Sequence, residues 1–496
     1  MQFFLYIAVV NSLLNKMRAI GRSVLLVWVL YIVSFCGTTT ANVLKDQREA
    51  LQRIYSTFTG AKWTYNVTQI DPQKIWFNQI QQDPCFPTPW YGLTCSEDNT
   101  TIVNMTLRQF GLVGEFADDT FSGLNTTVKV DMYLNAITGE LPASLLQSNS
   151  SMIHLDIGQN QLFGTIPSWI QYMSELEYFF LNENKLRGVL PQEVCVLSRL
   201  RQIVLYQNDL NGSIPSCIGD LVDLNHLYLG NNFFMGTIPA SLYNCKNMYS
   251  LDLENNKLHG PLLDLLQFPN LHYVYLINNA FSGPIHNNIT LMQELVVLGL
   301  SSNLFTGSIP KNIGNLLSLR ELYLYGNFLS GPIPESIESL SNLEVMLVQS
   351  NSLIGTVPNA LRELKELVLL DISNNNMLGP ISSSVFTPLV NLESLFLSNN
   401  QFTGPLPSMD TNLKLEKFDV SSNLFTGQIP NTLLTLPNLS LLSCAVNCLS
   451  REVSSSICES KSIKQLYLSG LAGAPRCSSI KTNYYLDYST LPSCLW

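Results

Sequence analysis

At 496 residues the length alone suggests several globular domains. Charged residues are only 13% and apolar residues 46%, so Asn, Ser and Thr supply the polar surface. The formal charge of −10 becomes −13 once the first 41 residues, with Lys16, Arg18 and Arg22, are removed, which excludes a nucleic-acid partner.

Met1 to Val10 is apolar, Asn15 to Ser23 is a basic interruption, and Val24 to Cys36 is a second apolar run followed by GTTTAN. Read from Met17, this is a basic region, a hydrophobic region and small residues Thr39 and Ala41 before Asn42. Residues 1–41 are therefore expected to be a cleaved signal peptide. The rival, an uncleaved anchor, needs about 20 apolar residues, and neither run reaches that length. Cleavage removes Cys36 and leaves ten cysteines, an even number suited to an oxidising compartment.

Residues 42–101 form a separate segment. Asp46 to Thr57 has apolar residues at helical spacing behind an Asp that can cap them. Trp63, Trp76 and the block DPCFPTPWYGLTC, from Asp83 to Cys95, follow.

Residues 102–447 are built from one unit, seen clearly from Leu295 to Leu316, LVVLGLSSNLFTGSIPKNIGNL. Its Asn recurs at 135, 160, 184, 208, 232, 256, 279, 303, 327, 351, 375, 400, 423 and 447, about fourteen copies after a degenerate one in which Phe110 takes the Asn position. The G-x-[IVL]-P step stands at Gly164 to Pro167, Gly212 to Pro215, Gly236 to Pro239, Gly307 to Pro310, Gly331 to Pro334, Gly355 to Pro358 and Gly427 to Pro430. In three copies Pro261, Pro284 or Pro380 follows the Gly directly, and those outer turns are expected to bend differently.

This pattern resembles the plant-type leucine-rich repeat. The resemblance implies an α/β leucine-rich repeat solenoid, a right-handed, curved superhelix with a parallel sheet on the concave face and 3₁₀ or short helical turns on the convex face. It also likens Asp83, Pro84, Cys85, Trp90, Gly92 and Cys95 to the N-terminal cap of plant-type ectodomains, which implies a Cys85–Cys95 disulfide.

Physically, one repeat has no core, and its leucines need a neighbour to cover them. The LxL triplet alternates buried and exposed and predicts one short strand per repeat. The Asn side chain is expected to bond its own turn and the next, and the Gly-to-Pro step to turn the chain and forbid ladder bonding. Strand spacing of roughly 4.8 Å gives an inner face on the order of 65 Å long. Cys195, Cys217 and Cys245 fall in neighbouring outer segments; two can bridge adjacent coils, leaving the third unpaired or joined elsewhere.

Residues 448–496 are irregular and cysteine-rich. Cys444, Cys448, Cys458 and Cys477 surround a segment that keeps one strand at Leu466 and Leu468, and STLPSCLW, containing Cys494, matches the start of a further repeat. The natural array is expected to continue.

The histidines 154, 226, 259, 272 and 286 and the column Asp156, Asp252, Asp371 and Asp419 are read as solvated surface, because their spacing along the repeats is too wide for a shared metal or paired carboxylates. No cofactor, metal or catalytic group is expected. The exposed strand positions instead gather Tyr178, Phe180, Tyr206, Tyr228, Tyr273, Tyr275, Tyr323 and Tyr325, rings suited to recognition. The bland alternative is that tyrosine here is repeat consensus packing on its neighbours.

Sequons at Asn66, Asn99, Asn104, Asn125, Asn149, Asn211, Asn288 and Asn438, with the signal sequence, predict a secreted glycoprotein, or a cell-surface one if the chain continues to an anchor. None of them lies on the inner strands from Asn184 to Asn327. The expected function is binding of an extracellular peptide, protein or glycan on the concave face, with signalling through a missing anchor or a membrane co-receptor. The alternatives are a secreted enzyme inhibitor, similar to the polygalacturonase-inhibiting repeat proteins, and a structural wall or adhesion protein.

Overall fold

Every apolar position of the repeat template turns inward. Leu295, Leu298, Leu300, Phe305, Ile309, Ile313 and Leu316 are all buried. The computed structural model describes residues 45–58, 83–86, 89–262, 268–450 and 462–468. The signal segment 1–41, Trp63, Trp76, Asn66, Cys458, Cys477, Cys494 and the final STLPSCLW lie outside the described residues, as does the side chain of Asn149. The chain divides into two compact units, Met1–Leu162 and Phe163–Trp496.

In the first unit, residues 45–57 are helical and bury Ala50, Leu51 and Ile54. Buried Gln47 ties this helix to the sheet, its Oε1 accepting the Ile102 N–H at 3.1 Å and its Nε2 donating to Thr126 Oγ1 at 2.8 Å. Leu93–Cys95 runs antiparallel to Ile102–Thr106, which then pairs in parallel with Lys129–Asp131, and that strand with His154–Asp156. Cys85 and Cys95 form the expected disulfide, and Trp90 is buried beside it in sequence. Phe110, at the degenerate Asn position, is also buried and stacks on Tyr91.

The second unit stacks three-residue parallel strands in register from Tyr178–Phe180 to Gln465–Tyr467. The last of these holds buried Leu466. Short 3₁₀ segments such as Glu335–Ser339 close the coils. The Asn ladder is present, with one correction of direction: each side chain from Asn208 to Asn447 reaches back to the preceding coil. Asn303 Nδ2 donates to the Leu300 and Ser301 carbonyls of its own turn and to Leu276 O at 2.9 Å, and its Oδ1 accepts the Phe281 N–H at 3.0 Å. One side chain thus serves four backbone groups that burial would otherwise strand.

A second correction concerns the segment after the Asn. It does not merely turn; it forms another parallel sheet, 12-stranded among the described residues, from Arg187–Val189 to Cys448–Leu449. The N–H groups preceding each proline make this ladder, so the proline limits strand length and does not prevent pairing. Pro261, Pro284 and Pro380 close such strands, and Gly260, Gly283 and Gly379 before them keep positive φ like the other glycines. Their outer turns therefore belong to the same class.

Cys195 and Cys217 join adjacent coils, and Cys245 remains a buried thiol. Its Sγ donates to Leu221 O at 3.3 Å, and burial pushes its pKa up to about 11, which keeps it an inert packing group. Cys444 is likewise a buried thiol, and Cys448 is disulfide-bonded.

Candidate functional site

Strand alternation places the middle residue of each triplet inside and the first and third on the open face of the sheet. In the second unit the register aligns Tyr228, Asp252, Tyr275, Gly299 and Tyr323 on five successive strands. Between the last two tyrosines Gly299 offers no side chain. A methyl there would stand 3.1 Å from Cδ1 and Cγ1 of Ile277, whose side chain fills that place, and Val297, Leu298 and Gly299 of this strand are all buried.

Each predicted ring is half-buried on this face. Tyr178 and Phe180 meet edge to face at 6.2 Å. Tyr206 donates its hydroxyl to Glu183 Oε1 at 3.0 Å, and Tyr323 donates to Glu321 Oε2 at 2.7 Å. Burial raises the pKa of Tyr228, pushes Tyr275 up to about 12 and drives Tyr323 higher still, with Glu321 and neighbouring phenols adding to the effect. These phenols stay protonated. Tyr325 shares the edge of the face with Tyr323.

Strand parity misses one ring. Tyr249, two residues before inward Leu251, is counted as inward by alternation, yet it is exposed. The chain bends as it enters the strand, with the Tyr249 and Ser250 N–H groups both donating to Asn225 O. Tyr249 stacks on His272 at 4.3 Å and lies 5.5 Å from His226 and 5.6 Å from Tyr273. His226 and His272 are thus part of an aromatic row rather than scattered solvated groups.

The aspartate column also departs from the solvated reading. Asp252, Asp371 and Asp419 each accept the backbone N–H two residues on, at 2.9–3.0 Å. Burial pushes Asp252 up to about 7 and raises Asp371. These carboxylates are structural clasps of their own turns.

In the first unit Asp156 makes the same clasp to the Gly158 N–H, and register sets it directly beside Asp131, which holds the same column position in the coil of Asn135, one coil before the column read above begins. Arg108 bridges them, 2.8 Å to Asp156 and 3.4 Å to Asp131, and lies over the Tyr133 ring at 4.3 Å. Lys129 adds 3.5 Å to Asp131. With His154 the two aspartates place donor atoms within 4.8 Å of one another, an arrangement able to hold a cation only by displacing these bases. Burial lowers His154 to about 4 and raises Asp156 to about 6. We read this group as a self-neutralised network.

The sequons Asn211 and Asn288 are exposed on other sides of their coils, in the strand Asp209–Ser213 and the segment Asn287–Leu291. Asn99, Asn125 and Asn438 are exposed, and Asn104 is half-buried on the sheet strand Ile102–Thr106.

The family model for the Leucine Rich Repeat matches residues 223–245, 294–316, 318–340, 391–413 and 414–436. Two solved structures extend the likeness over most of the chain: the plant peptide hormone receptor RGFR1 in complex with RGF2 (28% identity, TM-score 0.70, 74% of this chain and 59% of that one), and the Arabidopsis receptor kinase HAESA with the peptide hormone IDA and the co-receptor SERK1 (28%, TM-score 0.73, 85% and 73%). The chain is a leucine-rich repeat protein. Its repeats are of the plant type, like those of PEPR1 bound to AtPEP1 (26%, TM-score 0.73, 85% of this chain and 61% of that one). This leucine-rich repeat chain spans about three fifths of the RGFR1 and PEPR1 chains it matches. No curated protein sequence matches it. Among the described residues no helix is long and apolar enough to cross a membrane.

Proposed function

We propose that this protein is an extracellular receptor-like glycoprotein whose sheet face binds a peptide, and that it acts together with a membrane anchor or a co-receptor. One observation carries the reading: Tyr228, Tyr275 and Tyr323 share a single outward column, interrupted only by Asp252 and Gly299. Large rigid rings lose little rotamer entropy on binding. The likeness to ectodomains solved with peptide hormones supports a peptide as ligand and a co-receptor as partner.

The test is a random library of roughly twelve-residue peptides panned on the intact secreted protein, the length being that of a short extended segment along the stack. Peptides that bind the parent are expected to lose binding to Tyr275→Ala combined with Tyr323→Ala, with secretion unchanged. Loss of secretion along with binding would mean that the two tyrosines are structural.

A further inference from the structure

Over the stretch where the rings gather, the face carries acid and neither lysine nor arginine. From the first residue of each strand to its ladder Asn, through the eight coils ending at Asn184 to Asn351, the sequence holds Glu183, Asp252, Glu254 and Glu321 and no lysine or arginine. Arg201 and Arg320 stand at the entry edge, and each is already held by a glutamate, Glu177 at 3.3 Å and Glu344 at 2.7 Å.

The four carboxylates have neutral hydrogen-bond partners. Glu183 and Glu321 accept tyrosine hydroxyls, Glu254 accepts the amides of Asn231 and Asn255, and Asp252 accepts a backbone N–H. Carboxylates without a cation, set beside aromatic faces, form the chemistry that recognises ammonium and guanidinium groups. The first unit shows the opposite arrangement, where Arg108 and Lys129 neutralise Asp131 and Asp156 within the protein itself.

We propose that the ligand of this face is a basic, extended peptide segment, with a Lys or Arg side chain lying on the Tyr275 and Tyr323 rings against Glu321, and a second cation at Glu254. This rests on the reading of the same face as the binding surface. The strands of Tyr275 and Tyr323 are two apart, about 10 Å, so one long cationic side chain can reach both rings. Glu183, Glu254 and Glu321 fall on coils three apart. That is about 14 Å, a distance an extended peptide covers in about four residues. The ligand therefore carries cations at roughly four-residue intervals.

The peptide panning tests this directly. Peptides that bind the parent but not Tyr275→Ala with Tyr323→Ala are sequenced. Their affinity is then measured against Glu321→Gln and Glu254→Gln, both of which keep an oxygen acceptor for the existing hydrogen bonds. The expected result is enrichment of Lys and Arg at that interval, affinity about tenfold weaker for each variant, and weakening as salt rises from about 0.05 to 0.3 M. Face-dependent peptides that are neutral or acidic, and that bind Glu321→Gln as tightly as the parent, would overturn the charge assignment while leaving the face as the binding surface. If no peptide depends on the tyrosines, the binding-surface reading falls and this proposal falls with it.

Discussion

Asp252 and Gly230 occupy one space: a methyl group at Gly230 would stand 2.6 Å from Asp252 Oδ1. The bare backbone of one coil makes room for the carboxylate of the next, which turns back to accept the Glu254 N–H. Enclosed in this way, its pKa is pushed up to about 7, first by burial and then by the charge of Glu254.

A carboxyl that is harder to ionise in the folded state binds its proton more tightly there than in the unfolded chain. Its contribution to stability is full below about pH 4, the unfolded value, and is lost as pH rises through about 7. Asp252→Asn keeps the acceptor and removes the titration. Thermal melting of the two proteins from about pH 5 to pH 8 should show the variant gaining on the parent as pH rises. A constant gap would mean that the carboxylate is not enclosed.

Asn303→Leu should lower the melting temperature of the array cooperatively. The substitution strips three carbonyls and the Phe281 N–H of their partner, at roughly 1 to 3 kcal/mol for each group that stays buried. Because the bonds run back to the preceding coil, hydrogen exchange should quicken at Phe281 as well as at the site itself.

Two glycines should separate torsion from contact. At Gly314 a methyl would lie 1.9 Å from the Ser336 carbonyl oxygen of the next coil, so Gly314→Ala must push two coils apart. At Gly283, φ is +85° and nothing lies within 4 Å, so Gly283→Ala meets only the torsional cost of about 1–2 kcal/mol. Denaturant melts should rank Gly314→Ala as clearly the worse; equal effects would mean that neighbouring coils part easily.

Val446 is the residue preceding the ladder Asn447 and sits at φ +53°, a conformation that β-branched residues resist. Val446→Gly should raise stability by about 1 kcal/mol, seen as a higher denaturant midpoint. A lower midpoint would show that the valine side chain holds more in packing than it loses in strain.

Much of the fold is legible without coordinates because a repeated pattern carries its own confirmation. The buried leucines, the Asn ladder, the Cys85–Cys95 bridge and the strand at Leu466 all follow from spacing or from the resemblance that spacing supports. The rings Tyr228, Tyr275 and Tyr323 are legible for the same reason, since alternation along a strand decides which side chains face out. The residue before each ladder Asn is not. It adopts φ of +51° to +57°, or +64° at Gly326, although it is by turns Gln, Glu, Asn, Ser, Leu or Val, so no residue type marks it.

The sequence by itself determined the number and register of the coils, because a fixed period allows only one stacking that buries every leucine. Only the tertiary structure decided what one coil does to the next: which way the Asn reaches, that the Gly-to-Pro segment pairs as a second sheet, that Arg108 joins Asp131 to Asp156, and that Tyr249 turns outward onto His272. Those contacts join residues about two dozen positions apart, and they depend on side-chain direction and close approach. Periodicity specifies which residues come near each other, and only geometry specifies how they meet.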